Sequence, residues 1–381
     1  MKASLTLFER SLQLVRYPEH LQHPSWQAWD AADEYIIEYL QERPERAKAQ
    51  GLRIYNDDFG ALTCWFAKQK PTWISDSYVA LRSCQDNLAL NNINSQQVTF
   101  CSSMDTITTP TELVLLKIPK TTALLEQQLI DLQDSVGPQT LIIAAAKASA
   151  IQKSTLVLFE KYLGITTTSL AKKKARLVFC QPSGKLKHQS PYPTHWFSES
   201  PKFELSNHAN VFARQQLDIG ARFMLQHLPK SNGKTLIDLG CGNGVLGLSI
   251  LYKYPDAKVI FVDESYMALA SAKENLQRNL PEALPRCEFL ISNCLDEFLN
   301  QTERSTVDIV LCNPPFHQQN AITDHIALQM FSDAKKALVK GGELVVVGNR
   351  HLDYPVKLKR LFNSAKQSAT NQKFSIFTAI K

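Results

Sequence analysis

The sequence predicts an α/β protein made of two tandem doubly wound domains, related by internal duplication, with the first copy degenerate at its site. Three observations carry that expectation. Apolar strand runs alternate with amphipathic helical runs along both halves, the pattern of a largely parallel sheet covered on both faces. A stretch rich in turn formers, Gln181-Pro-Ser-Gly through Pro191-Tyr-Pro193, separates the halves, and its prolines interrupt regular structure. Finally, the segment 75–91 matches 263–279 at eight of 17 positions: Ser77/Ser265, Tyr78/Tyr266, Ala80/Ala268, Leu81/Leu269, Ser83/Ser271, Asn87/Asn275, Leu88/Leu276 and Asn91/Asn279. Helical periodicity would repeat apolar residues but not Ser, Tyr and Asn at fixed places, so duplication is the better account. The expected domains are 1–190 and 191–381.

In the second half the elements follow in order. Thr235-Leu-Ile-Asp-Leu reads as a buried strand and 245–252 as a helix; Lys258-Val-Ile-Phe-Val-Asp263 is a strand and 265–279 a helix. Cys287-Glu-Phe-Leu-Ile and Val307-Asp-Ile-Val-Leu-Cys312 are strands, 326–339 a helix, and Leu344-Val-Val-Val-Gly348 a strand; a helix at 356–363 and a strand at 373–380 close the chain. The first half repeats the order: Leu52-Arg-Ile-Tyr stands for Thr235-Leu-Ile-Asp, Glu112–Lys117 for Val307–Cys312, and Leu141–Lys147 for Leu344–Asn349. The chemical positions diverge. Gly240-Cys-Gly-Asn-Gly is set against Asp57-Asp-Phe-Gly-Ala, Asp263 against Ser75, and Asn313-Pro-Pro-Phe against Lys117-Ile-Pro-Lys. One working domain and one that kept the fold but lost the site are expected.

Composition bounds the function. The chain has 381 residues, 44% hydrophobic and 20% charged, an ordinary globular mixture. No apolar run reaches the roughly 18–20 residues that span a bilayer, and the first residues lack the apolar core of a signal peptide. Eight cysteines, with no Cys-x-x-Cys pair and no neighbouring histidine cluster, point away from zinc and towards reduced cysteines in a cytoplasmic protein. Net charge is +6, which permits nucleic acid without demonstrating it. Lys172-Lys-Lys-Ala-Arg176 and Lys357, Lys359, Arg360 are local basic clusters that can meet phosphates.

The chemistry concentrates in the second copy. Asp238-Leu-Gly-Cys-Gly-Asn-Gly-Val-Leu-Gly247 joins its first strand to its first helix. Glycines there allow a tight turn and close approach of backbone to a ligand. Asp263 ends the next strand, where a carboxylate can accept hydrogen bonds from two ribose hydroxyls, or simply cap the following helix. Asn293 follows the third strand, where its side-chain oxygen can accept from a ligand amine; the plain alternative is a turn-forming Asn. Asn313-Pro-Pro-Phe316 follows the fourth strand, at the open edge where such sheets bind ligands. There the Asn313 oxygen and the Pro314 carbonyl can both accept from one amino group, Pro315 holds the backbone rigid, and Phe316 offers a flat face to a planar substrate. Phe212, Arg214 and Asp218, upstream of the glycine loop, are candidates for closing the cofactor's end of the site. His317, directly after the motif, fits a pocket or surface residue better than a base.

The glycine loop with its preceding Asp238 resembles that of class I S-adenosylmethionine-dependent methyltransferases, and Asn313-Pro-Pro-Phe resembles the motif of members acting on amino nitrogens. The resemblance implies two Rossmann-like class I methyltransferase domains. It implies a cofactor site from Asp238, Gly240, Cys241, Gly242, Asn243, Gly244, Asp263, Asn293 and Phe212, and a catalytic site from Asn313, Pro314, Pro315 and Phe316. The whole order of features, from the damaged first copy through Asn210-Val-Phe-Ala-Arg to Asn313-Pro-Pro-Phe-His, is similar to the ribosomal RNA guanine-N2 methyltransferases. The phrases Trp29-Asp-Ala-Ala-Asp-Glu-Tyr, Asn207-His-Ala-Asn-Val-Phe and Asn349-Arg-His-Leu-Asp-Tyr resemble the branch acting on the large subunit. That family implies a cytoplasmic enzyme, expected as a monomer without metal or membrane. It would make N2-methylguanine in 23S rRNA, naked or in a partly assembled subunit, with the first domain gripping RNA. A small-subunit 16S rRNA enzyme, a protein glutamine methyltransferase and a non-catalytic ribosome assembly factor stay open on the sequence; a nicotinamide oxidoreductase has no use for Asn313-Pro-Pro-Phe.

Overall fold

Short runs of Val, Ile, Leu and Phe that are apolar on both faces can be buried only in a sheet covered on both sides. The computed structural model, which describes residues 3–18, 26–47, 49–184, 187–301, 306–315, 321–362 and 364–381, contains two such sheets. The chain divides into two compact units, Met1–Pro191 and Tyr192–Lys381. In the second, seven strands lie in the order Cys287–Ile291, Lys258–Asp263, Thr235–Leu239, Val307–Cys312, Leu338–Asn349, Phe374–Ile380, Ser364–Thr370. The first five run parallel, Phe374–Ile380 runs antiparallel to them, and Ser364–Thr370 pairs antiparallel with Phe374–Ile380. In the first unit the order is Thr99–Ser102, Thr72–Ser75, Arg53–Tyr55, Leu113–Lys117, Leu141–Lys147, Ala175–Pro182, Gly164–Thr168, with the same directions. The central strands are fully buried: Leu236, Ile237, Ile309, Val310 and Leu311 in one unit, Ile54, Val114, Leu115 and Leu116 in the other.

Boundaries shift by two residues at the last helix, which runs Tyr354–Leu361, and by more at two other places. The helix expected at 326–339 runs Ala321–Ala337, and the strand expected from 344 starts at Leu338 and continues through Gly341 and Gly342 to Asn349. The reason is the partner: Val307 pairs with Leu338 and, after an irregularity, Ile309 with Glu343, so the neighbouring strand extends the ladder past the glycines.

The duplication reaches further than the sequence suggested. Each unit begins with a two-stranded antiparallel hairpin, Ala3–Leu7 with Arg10–Leu14 and Thr194–Phe197 with Glu204–Asn207. Each hairpin is fastened by the two asparagines repeated towards the ends of the helices Tyr78–Leu90 and Tyr266–Asn279. Asn87 receives a hydrogen bond from the Val15 N–H and donates to the Val15 and Phe59 carbonyls (2.9, 2.8 and 2.8 Å). Asn275 does the same with the Ser206 N–H, the Ser206 carbonyl and the Asn243 carbonyl (2.7, 3.0 and 3.0 Å). Asn91 clasps both backbone groups of Gln13, and Asn279 both of Glu204. These amides satisfy strand-edge backbone groups that would otherwise be buried without partners.

These contacts also correct the pairing of the two loops by one residue. Asn87 and Asn275 reach Phe59 and Asn243, and left-handed Gly60 (φ 78°) and Gly244 (φ 79°) start the equivalent helices Ala61–Phe66 and Val245–Lys253. Gly240-Cys-Gly-Asn-Gly therefore corresponds to Asn56-Asp-Asp-Phe-Gly60, and left-handed Asn56 (φ 57°) replaces Gly240 (φ 71°). Asn tolerates that region better than most residues, which made the substitution invisible to a search for glycine.

Candidate active site

The glycine loop of the second unit is shaped by three residues in left-handed backbone. Gly240, Gly242 and Gly244 have φ of 71°, 54° and 79°. A Cβ on Gly244 would lie 2.9 Å from the Ala272 Cβ, so glycine there is a packing need; a Cβ on Gly242 would meet nothing within 4 Å. Gly242 thus turns its bare face to open space, the feature expected where a ligand approaches backbone. The loop is tied down from below. The Gly240 and Cys241 N–H groups both donate to the Val262 carbonyl (2.8 and 3.0 Å). Asn243 donates to Asn207 Oδ1 at 2.9 Å and accepts from the Val245 N–H, so this side chain is spent on holding the loop to the hairpin. Cys241 is buried.

Asp238 is only 1% exposed, and its Oδ2 accepts from the Gly247 N–H at 2.9 Å. It lies under the loop and braces the first turn of the helix. Burial pushes its carboxyl up to about 7, opposed by the Gly247 hydrogen bond and reinforced by the nearby charge of Asp263. In the first unit the equivalent N–H, of Thr63, is taken by Asp57 (2.8 Å), which stands in the loop at the place of Cys241. The acidic brace has moved along the chain while the backbone group it satisfies has not.

Asp263 ends its strand with one carboxylate oxygen accepting from the Gly242 N–H (2.9 Å) and the other from the Ser265 N–H (3.0 Å). Ser265, whose side chain accepts from Ala268, is the residue that caps the helix Tyr266–Asn279; Asp263 joins the glycine loop to that cap. Asn293 is buried, with its Nδ2 donating to Asp296 Oδ2 at 2.8 Å. Asp296 in turn accepts from Gln329 (3.2 Å). The amide is thereby oriented, and its oxygen makes no hydrogen bond among the described residues.

Asn313 gives the sharpest observation. Its Nδ2 donates to Asp218 Oδ2 at 3.2 Å, while its Oδ1 is a buried oxygen with no hydrogen-bond partner among the described residues. A buried acceptor left empty costs roughly 1–3 kcal/mol and calls for an explanation. Pro314 is buried and Pro315 exposed. Phe316 and His317 lie outside the described residues. Phe212 is 57% exposed. Arg214 is engaged locally, donating to the Ala209 carbonyl (3.1 Å) and lying over the Tyr192 ring.

In the first unit the same ground is filled. Lys117 stands where Asn313 does, one residue past the strand pairing of Tyr55 with Leu116. Its ammonium lies 2.9 Å from Asp30 and 2.6 Å from Asp33. Asp58, an exposed carboxylate, stands at the place of Gly242. A ligand face has become an ion cluster.

Several lysines of the two basic clusters already carry ion pairs. Lys172 pairs with Glu38 (2.7 Å) and Lys173 with Glu34 (2.5 Å), so their charge is balanced by the helix Ala31–Gln41; Lys174 and Arg176 have no such pair among the described residues. Lys357 is buried and paired with Asp353 at 2.8 Å. Charge runs read from sequence show no partners that arrive from other elements. The asparagines 87, 91, 275 and 279 and the carboxylate of Asp296 were the residues whose work the sequence did not reveal; Asn at i and i+4 in both copies was the available signal. All eight cysteines are free thiols, and no helix among the described residues is long and apolar enough to cross a membrane.

Comparison with known proteins agrees with this geometry. Residues 2–184 match the RLMG N-terminal domain family, and 202–378 match the methyltransferase small domain family. A ribosomal RNA large subunit methyltransferase G from Pseudoalteromonas atlantica is 60% identical, with both chains covered completely. Those of Aeromonas salmonicida and Klebsiella pneumoniae are 52% and 50% identical, each covered over at least 96%. The chain belongs to the ribosomal RNA large subunit methyltransferase G family. Among solved structures, the Thermus thermophilus 16S rRNA N2 G1207 methyltransferase RsmC, in complex with AdoMet and guanosine, superposes with a TM-score of 0.76 at 18% identity, covering 100% of this chain and 98% of that one. That likeness extends the family's two-domain fold across both units.

Proposed function

We propose that the chain transfers a methyl group from S-adenosylmethionine to the exocyclic 2-amino group of a guanine in 23S ribosomal RNA, with the second unit carrying the site. The observation that carries this reading is the empty, buried Oδ1 of Asn313 at the open edge of the sheet, beside a loop whose Gly242 faces free space. Membership of the large-subunit methyltransferase family supports the RNA class, and the guanosine of the structural neighbour supports the amine.

The residues present fit the cofactor. The bare Gly242 face suits its amino-acid end, the Asp263 carboxylate can accept from ribose hydroxyls, and the oriented Asn293 oxygen can accept from the adenine amine. Bound S-adenosylmethionine supplies a methyl already activated on a sulfonium, which leaves its bonding pair on sulfur. The chain's own task is to present nitrogen. A guanine amine is conjugated and nearly planar, so its lone pair is a poor nucleophile. Accepting one N–H at Asn313 Oδ1 and the other at the Pro314 carbonyl favours a pyramidal nitrogen with the lone pair directed at the methyl. The extra proton then leaves to solvent, so no dedicated base is required. The base must first be unstacked to enter the pocket.

The test is Asn313→Ala in the full chain, with labelled S-adenosylmethionine and 23S rRNA. Methyl transfer should fall by about a hundredfold or more, the usual scale for one such polar contact, with cofactor affinity within twofold of the parent. Transfer at the parent rate would sink the reading.

A further inference from the structure

We propose that Asp218 is a positioning residue for methyl transfer: its carboxylate holds the Asn313 amide in the single orientation that offers an oxygen, and not an NH2, to the substrate amine. This rests on the role proposed for Asn313.

A primary amide is almost the same shape after a half-turn, so its environment alone decides which end faces the substrate. Asn313 Nδ2 is 3.2 Å from Asp218 Oδ2. An ionised carboxylate accepts and cannot donate. Turned over, Asn313 would set its oxygen against that carboxylate and its NH2 against the N–H groups of the incoming base, two repulsive contacts at once. Asp218 is itself immobilised, because the same Oδ2 accepts from the Ala221 N–H at 2.8 Å as the cap of the helix Ile219–Leu225. The carboxylate therefore does two jobs, and the observed result of the second is the free Oδ1 on the opposite side of the amide.

The first unit supplies an independent observation. Asp30 caps the helix Ala31–Gln41, the counterpart of Ile219–Leu225, and accepts from Lys117 Nζ at 2.9 Å. Lys117 occupies the position of Asn313. Both copies thus join the cap of the helix before the first strand to the residue after the fourth strand. Where the site is filled, that contact is a salt bridge; where it is open, it orients an amide. A cap serving only its helix has no need of this partner in either copy.

The experiment separates the two jobs. Ser and Thr also cap helices through a side-chain oxygen. Asp218→Ser and Asp218→Thr keep a capping oxygen for the Ala221 N–H but are one atom too short to keep the carboxylate's reach to Asn313. For each variant, kcat and KM for methyl transfer to 23S rRNA, cofactor affinity by calorimetry and melting temperature are measured. The expected result is a kcat at least about tenfold lower, with cofactor affinity, KM for RNA and melting temperature close to the parent. A parental kcat in both variants overturns the proposal. So does a loss that appears only as weaker binding, or a failure of both variants to fold, since either assigns Asp218 to the structure alone. Asn313→Ala measured alongside keeps the two readings apart: if it is slow while both Asp218 variants are fast, only this proposal fails; if it is fast, the role of Asn313 itself fails.

Discussion

Gly242 and Gly244 are two residues apart, both in left-handed backbone, yet they answer to different demands. At Gly244 an added methyl would run into Ala272 and Phe261 (2.9 and 3.2 Å), on top of an unfavourable φ. Gly244→Ala should therefore cost about 2–4 kcal/mol of stability, from overpacking and backbone strain together. At Gly242 the methyl meets no atom, so Gly242→Ala carries only the backbone cost of roughly 1–2 kcal/mol and should act chiefly on the ligand. Thermal melts and calorimetry with S-adenosylmethionine distinguish them: Gly244→Ala lowers the melting temperature most, and Gly242→Ala weakens cofactor binding at least about tenfold while remaining folded. Parental affinity in Gly242→Ala would remove the loop from the cofactor face. Asp238 makes a prediction in pH. Its folded carboxyl, pushed up to about 7 by burial, sits above its unfolded value, so the folded state favours the protonated form. That contribution is fully present below about pH 4 and is lost as pH rises through about 7. Asp238→Asn keeps an acceptor for the Gly247 N–H without the charge. In the cofactor-free protein its advantage in melting temperature over the parent should grow from pH 4 to pH 7 and then stay level. An advantage that shrinks over that range would refute the assignment.

Between elements, the repeated asparagines do the joining. Asn275 is fully buried and connects three things: its own helix, the hairpin strand Glu204–Asn207 and the glycine loop through the Asn243 carbonyl. Asn275→Ala would leave one buried N–H and two carbonyls without their partner, which costs about 3 kcal/mol or more. A destabilisation under about 1 kcal/mol in denaturant titration would show that water or backbone relaxation replaces the amide. Because the loop is one of its partners, cofactor affinity should fall in the same variant. The sequence displayed these asparagines as matching letters in two helices but not their reach, since their partners lie about 70 residues away in or just beyond strands too short to announce themselves (Val15 for Asn87, Ser206 for Asn275). The parallel strands were legible because each is a continuous apolar run. The one-residue misalignment of the loops arose because Asn56 can take a glycine's backbone conformation, and letters do not record φ.

Across the whole molecule, duplication has left one open site and one filled one. Lys117 between Asp30 and Asp33, with Asp58 at the place of Gly242, occupies the ground a cofactor would need in the first unit. Burying that lysine is favourable only with both carboxylates in place, so the cluster is locked as a set. Titration calorimetry of the full chain should accordingly give one equivalent of S-adenosylmethionine per chain; two equivalents would show that the ion cluster opens. The sequence alone determined the fold class, the duplication, the glycine loop, Asp263 and the Asn313-Pro-Pro motif, because these depend on periodicity and short spacings that a linear chain carries intact. Tertiary structure alone decided that Asp238 is buried under the loop, that Lys172 and Lys173 are already paired, and that Asp218 takes the amide of Asn313 and leaves its oxygen without a partner among the described residues. Each of those outcomes depends on which distant side chain arrives within about 3 Å, the range over which hydrogen bonds act, and no local pattern encodes that arrival.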